Sequence, residues 1–94
     1  MRVEWRPIAE ADLLEIIGYI AFDSPAAAER IFAEITTRTL KLARHPRMGR
    51  KGRVAGTREF VVSGTPYIAV YQITGNAVVI IRVIHGARAW PVSF

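Results

Sequence analysis

The nonapeptide Ala77–His85 reads Ala-Val-Val-Ile-Ile-Arg-Val-Ile-His, apolar at every position except Arg82 and His85. A strand with one face in water alternates apolar and polar residues. This one does not, so it belongs inside a sheet that is covered on both faces. The rest of the chain has to be arranged around it. Tyr67–Ile73 precedes it across Thr74-Gly75-Asn76, a tight hairpin turn. Earlier still, Arg58, Phe60 and Val62 alternate with Thr57, Glu59 and Val61, and Ser63-Gly64-Thr65-Pro66 turns the chain. The C-terminal half therefore reads as a three-strand meander.

The N-terminal half supplies a cover for one face. Val3 and Trp5 alternate with Arg2, Glu4 and Arg6, the pattern of a short first strand. Pro7 can open a helix, because its missing N–H is not needed in the first turn. Ala9, Leu13, Ile16, Ile17 and Ile20 then form one apolar stripe, and the helix ends near Phe22. Asp23-Ser24-Pro25 restarts it, with Ser24 as N-cap and Pro25 as first helical residue. Ala28, Ile31, Phe32, Ile35, Thr39 and Leu42 give a second buried stripe, and Pro46 stops the helix. So short a connection predicts an antiparallel helix hairpin. From Pro46 to Gly56 the chain reads as a loop whose glycines would let its backbone approach a partner. The fold class is α+β: an N-terminal strand and an antiparallel helix hairpin packed on a mainly antiparallel sheet, in one domain over residues 1–94. What covers the sheet's second face points toward a binding partner.

Charge is divided along the chain. The first 35 residues hold seven acidic and three basic residues, a balance of −4, and the remainder holds ten basic residues and only Glu59, a balance of +9. Eight of the thirteen basic residues lie between Arg38 and Arg58: Arg38, Lys41, Arg44, Arg47, Arg50, Lys51, Arg53 and Arg58. A polarised surface of this kind selects acidic or polyanionic partners. The bland alternative is a solvated helix edge followed by a solvated loop.

Other chemistries are excluded or disfavoured. There is no cysteine, hence no disulfide, thiolate nucleophile or cysteine-based zinc site. The two histidines are forty positions apart, a poor start for a metal centre, and no metal or cofactor is expected. No segment resembles a signal peptide or a membrane span, so a cytoplasmic protein with no membrane partner is expected. The glycine loop lacks the spacing and the Lys-Ser/Thr ending of a Walker phosphate loop. Ser24 is a cap and Ser63 lies in a turn, so a Ser–His–Asp hydrolase is not supported.

Several pieces in a fixed order carry a family resemblance: Ala11-Asp12-Leu13, His45-Pro46-Arg47-Met48-Gly49-Arg50, Gly56-Thr57-Arg58-Glu59, Tyr67 to Tyr71, and Ile81-Arg82-Val83-Ile84-His85. Over nearly its whole length the chain resembles the RelE/ParE superfamily of toxins from type II toxin–antitoxin modules. That resemblance implies neutralisation by a cognate antitoxin, ParD- or RelB-like, from an adjacent gene, with operator DNA reached only through the antitoxin. It also implies one of two targets. RelE-like members cut mRNA on the ribosome without a metal, using basic residues on the sheet and a general acid or base. ParE-like members keep the fold, lack that catalytic set and poison DNA gyrase.

Carried over by residue, the match leans toward the second kind. Arg58 and Arg88 fall where RelE-like toxins carry basic residues, but Phe60 and Ile68 stand where two further charges would be. No tyrosine follows Trp90. The Arg-Val-Ile-His ending is also more similar to ParE-like chains. Should the chain be a nuclease, its candidate catalytic residues are Arg58, His85 and Arg88. The candidate target- or nucleic-acid-binding residues are Arg50, Lys51, Arg53, Arg58, Arg82 and Arg88. Tyr67 and Tyr71 lie on one strand face and could stack bases, though core or antitoxin-facing positions suit them better.

Overall fold

The computed structural model describes residues 1–91 and 93–94. Strand β1 (Arg2–Trp5) leads into helices α1 (Pro7–Asp23) and α2 (Pro25–Thr39), and α2 tightens into a 3₁₀ turn, Leu40–Ala43. Strands β2 (Arg50–Lys51), β3 (Arg58–Val61), β4 (Tyr67–Thr74) and β5 (Ala77–His85) follow. They form one sheet in the order β1-β5-β4-β3-β2. β1 runs parallel to β5, and the other neighbours are antiparallel.

The helix hairpin forms where the punctuation demands it. Ser24 Oγ accepts the Ala27 N–H at 3.1 Å, satisfying one of the donors that a helix start leaves unpaired. Pro25 follows as the first helical residue. Leu13, Ile31, Ile35 and Val62 close the space between the helices and the sheet, beside a second cluster of Ala9, Leu42, Ala69, Tyr71, Val78, Ile80 and Val83. Phe32 does not join them. It is 44% exposed, on an outer groove with Leu13, Leu14 and Thr36. The stripe through Ile31 and Ile35 already fills the interface, and Phe32 is turned roughly 100° away from Ile31 around the helix.

β5 lies between β1 and β4, as its apolar sequence requires. Its pairing contains a bulge: Val70 faces Arg82 while Tyr71 faces Ile80, leaving Ile81 as an extra residue on β5. The alternation of β5 switches there. Val78 and Ile80 face the helices before the bulge and Val83 does so after it, while Ile81 and Ile84 pack on the opposite face with Val70. Without the extra residue Arg82 would be directed into the helix-side core. The opposite face is covered in part by the chain itself, since Trp90 packs on the Val70, Ile81 and Ile84 cluster.

The segment read as a plain loop contains β2, an edge strand paired with β3. Two of its glycines serve internal contacts. A Cβ on Gly49 would lie 2.6 Å from the Tyr71 hydroxyl and 2.8 Å from the Glu59 carbonyl oxygen, and one on Gly52 would overlap the Thr57 side chain. The tightest approach of this backbone is thus to its own sheet.

Candidate functional site

The expected binding cations separate into engaged and free groups. Glu59 is the organiser of the first. It follows Arg58 on β3 and is 2% exposed. Its Oε2 accepts the Arg53 backbone N–H at 2.7 Å, and its Oε1 accepts Arg50 Nη2 at 3.0 Å and Arg53 Nη2 at 3.3 Å. Burial pushes the Glu59 carboxyl up, but the bonds from the Arg53 backbone and the Arg50 and Arg53 guanidiniums outweigh it. The net result is a carboxyl held below its ordinary value. Arg50 and Arg53 are therefore structural partners of a buried charge as well as surface cations.

Two further bonds fasten the same loop. The Tyr71 hydroxyl, on a fully buried side chain, donates to the Pro46 carbonyl at 2.6 Å and accepts the Gly49 N–H at 3.0 Å. Arg58 Nη1 donates to the Gly49 carbonyl at 2.6 Å. Tyr71 is thus a core strut and not a stacking platform. Arg58 is spent on the loop backbone.

Arg82 is engaged at the other end of the sheet. β1 covers β5 only from Ala77 to Ile80, so the β5 edge beyond Ile80 has no strand beside it. Asp12 of α1 fills that gap. Its Oδ2 accepts the Val83 N–H at 3.0 Å and Arg82 Nε at 2.7 Å, and its Oδ1 accepts Arg82 Nη2 at 3.1 Å. A bidentate pair with a backbone bond on the same carboxylate locks helix to sheet. The bond to Asp12 raises the already high Arg82 pKa, so the guanidinium stays charged at any ordinary pH. Replacing Asp12 with Ala should strand both the guanidinium and the Val83 N–H, at a cost of about 2 kcal/mol. A fall in melting temperature of roughly 10 °C is the expected readout for a domain of this size. A change under 2 °C would show the pair to be incidental.

Lys51 and Arg88 remain exposed, with no side-chain partner among the described residues. Arg88 lines a groove of about 220 Å³ with Asp12, Glu15, Ile16, Tyr19, Tyr67, Val83 and His85. His85 stands at the end of β5, with its ring edge-on to Tyr67 at 5.5 Å between centroids. Its Nδ1 accepts the Ala87 N–H at 3.1 Å, which leaves Nε2 as the nitrogen available to a ligand. Burial, with the nearby Tyr19 phenol, pushes the Tyr67 hydroxyl up, so it remains a protonated donor at neutral pH. The structure thus brings His85 and Arg88 together and keeps Arg58 apart from them, bonded to the loop.

Phe60 is half-buried beside both helix-side clusters, and Ile68 is 5% exposed. Neither position offers a charge to a phosphate. Trp90 lies on the second sheet face: the Arg53 guanidinium sits 3.7 Å from its ring centroid, and the Phe94 ring meets it edge-on. Sequence reasoning missed Asp12, Glu15 and Tyr19 as groove residues. Glu59 did leave a signal, as the only carboxylate after Glu34 in a strongly basic stretch.

A family model described as the ParE toxin of the type II toxin–antitoxin system parDE matches residues 3–90. The chain belongs to the ParE toxin family. It is 42% identical over 90 residues to Y4kP of Sinorhizobium fredii, a candidate toxin, covering 96% of this chain and 93% of that protein. It is 39% identical over 87 residues to the toxin RelE2 of Caulobacter vibrioides, covering 93% of this chain and 97% of the relative. The fold matches a solved chain of the chromosomal ParDE system from P. aeruginosa with a TM-score of 0.80 and 25% identity, over 90% of this chain and 95% of that one. This ParE-family chain is the toxin component of a type II toxin–antitoxin module, and such a module implies a cognate antitoxin as partner. No helix among the described residues is long and apolar enough to cross a membrane.

Proposed function

We propose that this toxin arrests growth by poisoning DNA gyrase and does not cut mRNA. One observation carries the reading: of the positions that would bind a scissile phosphate, all but Arg88 are occupied or apolar. Phe60 and Ile68 belong to the packed interior, Arg58 is bonded to the loop backbone, and Arg82 is paired with Asp12. A phosphoryl-transfer site needs preorganised cations where negative charge develops, and losing one such donor costs about 3 kcal/mol of barrier. A protein stripped of that set acts by binding. Of the residues expected to bind a target, Arg88 and Lys51 are exposed and without side-chain partners among the described residues, with Arg50 and Arg53 at the loop surface.

The alternative is a RelE-like, ribosome-dependent mRNA endonuclease. The observation favouring it is the groove in which His85, Arg88, Glu15 and Tyr67 converge. An imidazole beside a free guanidinium could move a proton and hold a phosphate. Against this, no carboxylate bonds the His85 ring to orient it among the described residues. Induction in cells separates the two readings: a gyrase poison stops DNA supercoiling first, a nuclease stops translation first.

The cognate antitoxin should cover the apolar and basic surfaces that the toxin leaves open. On α1 and α2 these include Leu14, Tyr19, Phe22 and Phe32, with Phe22 91% exposed. An amphipathic helix laid against that hairpin would bury them, and an acidic segment would suit the basic side. Expression of the toxin alone should halt growth, and co-expression of the adjacent antitoxin gene should restore it. Normal growth at high toxin levels without that gene would count strongly against the whole reading.

A further inference from the structure

Basic residues recur at every third position from Arg38 to Arg53: Arg38, Lys41, Arg44, Arg47, Arg50 and Arg53. The fold treats the two ends of this series differently. Arg50 and Arg53 are drawn onto Glu59, and Arg38 onto Glu34. Lys41, Arg44 and Arg47 are exposed and have no side-chain acceptor among the described residues. The chain at this point is the 3₁₀ turn Leu40–Ala43 with Arg44 as its cap. A 3₁₀ helix has three residues per turn, so side chains three apart eclipse one another. From Lys41 to the cap Arg44 the period of the charges therefore equals the period of the backbone. Lys41 and Arg44 stand nearly one above the other, about 6 Å apart along the axis at a rise of roughly 2.0 Å per residue, and Arg47 lies beyond the helix end, in the turn that the Met48 N–H closes on the His45 carbonyl.

We propose that Lys41, Arg44 and Arg47 form a ridge that binds the phosphate backbone of double-stranded DNA. The ridge is remote from the His85 groove, whose lining includes none of its residues. Its spacing resembles the separation of neighbouring phosphates along one strand. The one aromatic ring between Leu40 and Lys51 is the exposed His45 imidazole, too little to stack successive unstacked bases, so a single strand is disfavoured. Nothing on the ridge is shaped to read base edges, so the contact is independent of sequence. An acidic peptide is the competing occupant. It would have to be ordered on binding, and the turn offers it little main-chain pairing: the Lys41 carbonyl already accepts from Arg44 and His45, and the His45 carbonyl from Met48. A duplex presents its charges in fixed positions and pays no such ordering cost. Dipole stabilisation at a helix end accounts for one cation there, but not for three within seven residues. The biological purpose rests on the gyrase reading: a toxin acting on an enzyme that holds duplex DNA gains residence from a second contact to that DNA.

The test is fluorescence anisotropy of the purified toxin with a labelled 20-base-pair duplex across a salt series. Each phosphate contact contributes about −0.9 to the slope of log affinity against log salt. Arg44→Ala/Arg47→Ala should therefore flatten the slope by about 1.8 and weaken binding at low salt at least tenfold. Its melting temperature should be unchanged, because neither side chain has an internal partner. The equal-charge control Arg6→Ala/Arg30→Ala should leave the slope intact. Absence of duplex binding, equal loss in both double variants, or polyglutamate bound as tightly as the duplex would each overturn the proposal, the last in favour of an acidic protein partner. A gyrase supercoiling assay on the same proteins keeps the two readings separate. Lost gyrase inhibition with DNA binding retained removes the target, and the reverse removes the ridge.

Discussion

Glu59→Gln should be the most damaging single polar substitution in this protein, lowering its stability by about 3 kcal/mol near neutral pH. A small domain of this kind has only about 5–10 kcal/mol in total. The exchange keeps the shape of the side chain and removes its charge, leaving the Arg50 and Arg53 guanidiniums without a counter-ion in the fold. The pH dependence follows from the direction of the shift. The folded-state carboxyl lies below its ordinary value of 4.5, so the folded protein holds this proton less tightly than the unfolded chain does. The stabilisation is therefore fully present above the unfolded value and is lost as pH falls below 4.5 through the lower, folded one. Urea unfolding of both proteins between pH 7 and pH 3 should show the gap closing as the wild type is acidified. A constant gap over that range would mean that Glu59 acts through shape or packing and not through its charge. Loosening should also reach the C-terminal segment, because Arg53 links Glu59 to Trp90.

The second large effect concerns Arg88. Purified toxin should inhibit gyrase supercoiling, and Arg88→Ala should reduce its potency about thirtyfold, the equivalent of a 2 kcal/mol interface arginine. This residue is the cleanest probe on the surface. Arg50, Arg53, Arg58 and Arg82 all bond internally, so a lost activity on replacing them would mix folding with binding. Arg88 has no such bond, and its variant should unfold at the wild-type temperature. His85→Ala should leave gyrase inhibition within about threefold, because a binding inhibitor has no use for a proton carrier. Primer extension on mRNA from induced cells is the companion measurement, with no codon-linked cuts expected. Cuts that disappear on His85→Ala or Arg88→Ala, with gyrase unaffected, would install the nuclease reading.

The helix hairpin, the meander and the interior position of Ala77–His85 were legible in the sequence, because they depend on local chemistry. Ser24 and Pro25 punctuate a helix wherever they are placed, and an unalternating apolar strand has to be covered twice. Family membership was legible for a related reason, since the order of these local signals is itself the pattern. The fate of the basic residues was not legible. Arg44 and Arg50 look alike in a sequence, but Arg50 is bound to Glu59 and Arg44 has no side-chain partner among the described residues, and only the fold of β2 against β3 makes that distinction.

The same holds for Arg82 and Asp12, which are 70 positions apart and bonded through two nitrogens. No local rule brings an aspartate on a helix to the open edge of a distant strand. That contact exists because β1 stops level with Ile80 and the bulge at Ile81 turns Arg82 out of the helix-side core. The sequence by itself determined both helices, every strand except β2, and how much charge the chain carries. The tertiary structure alone decided which charges are consumed inside the molecule and which are left for a partner. Secondary structure is chosen by each residue's near neighbours, whereas the pairing of a charge depends on what long-range packing brings within about 4 Å of it.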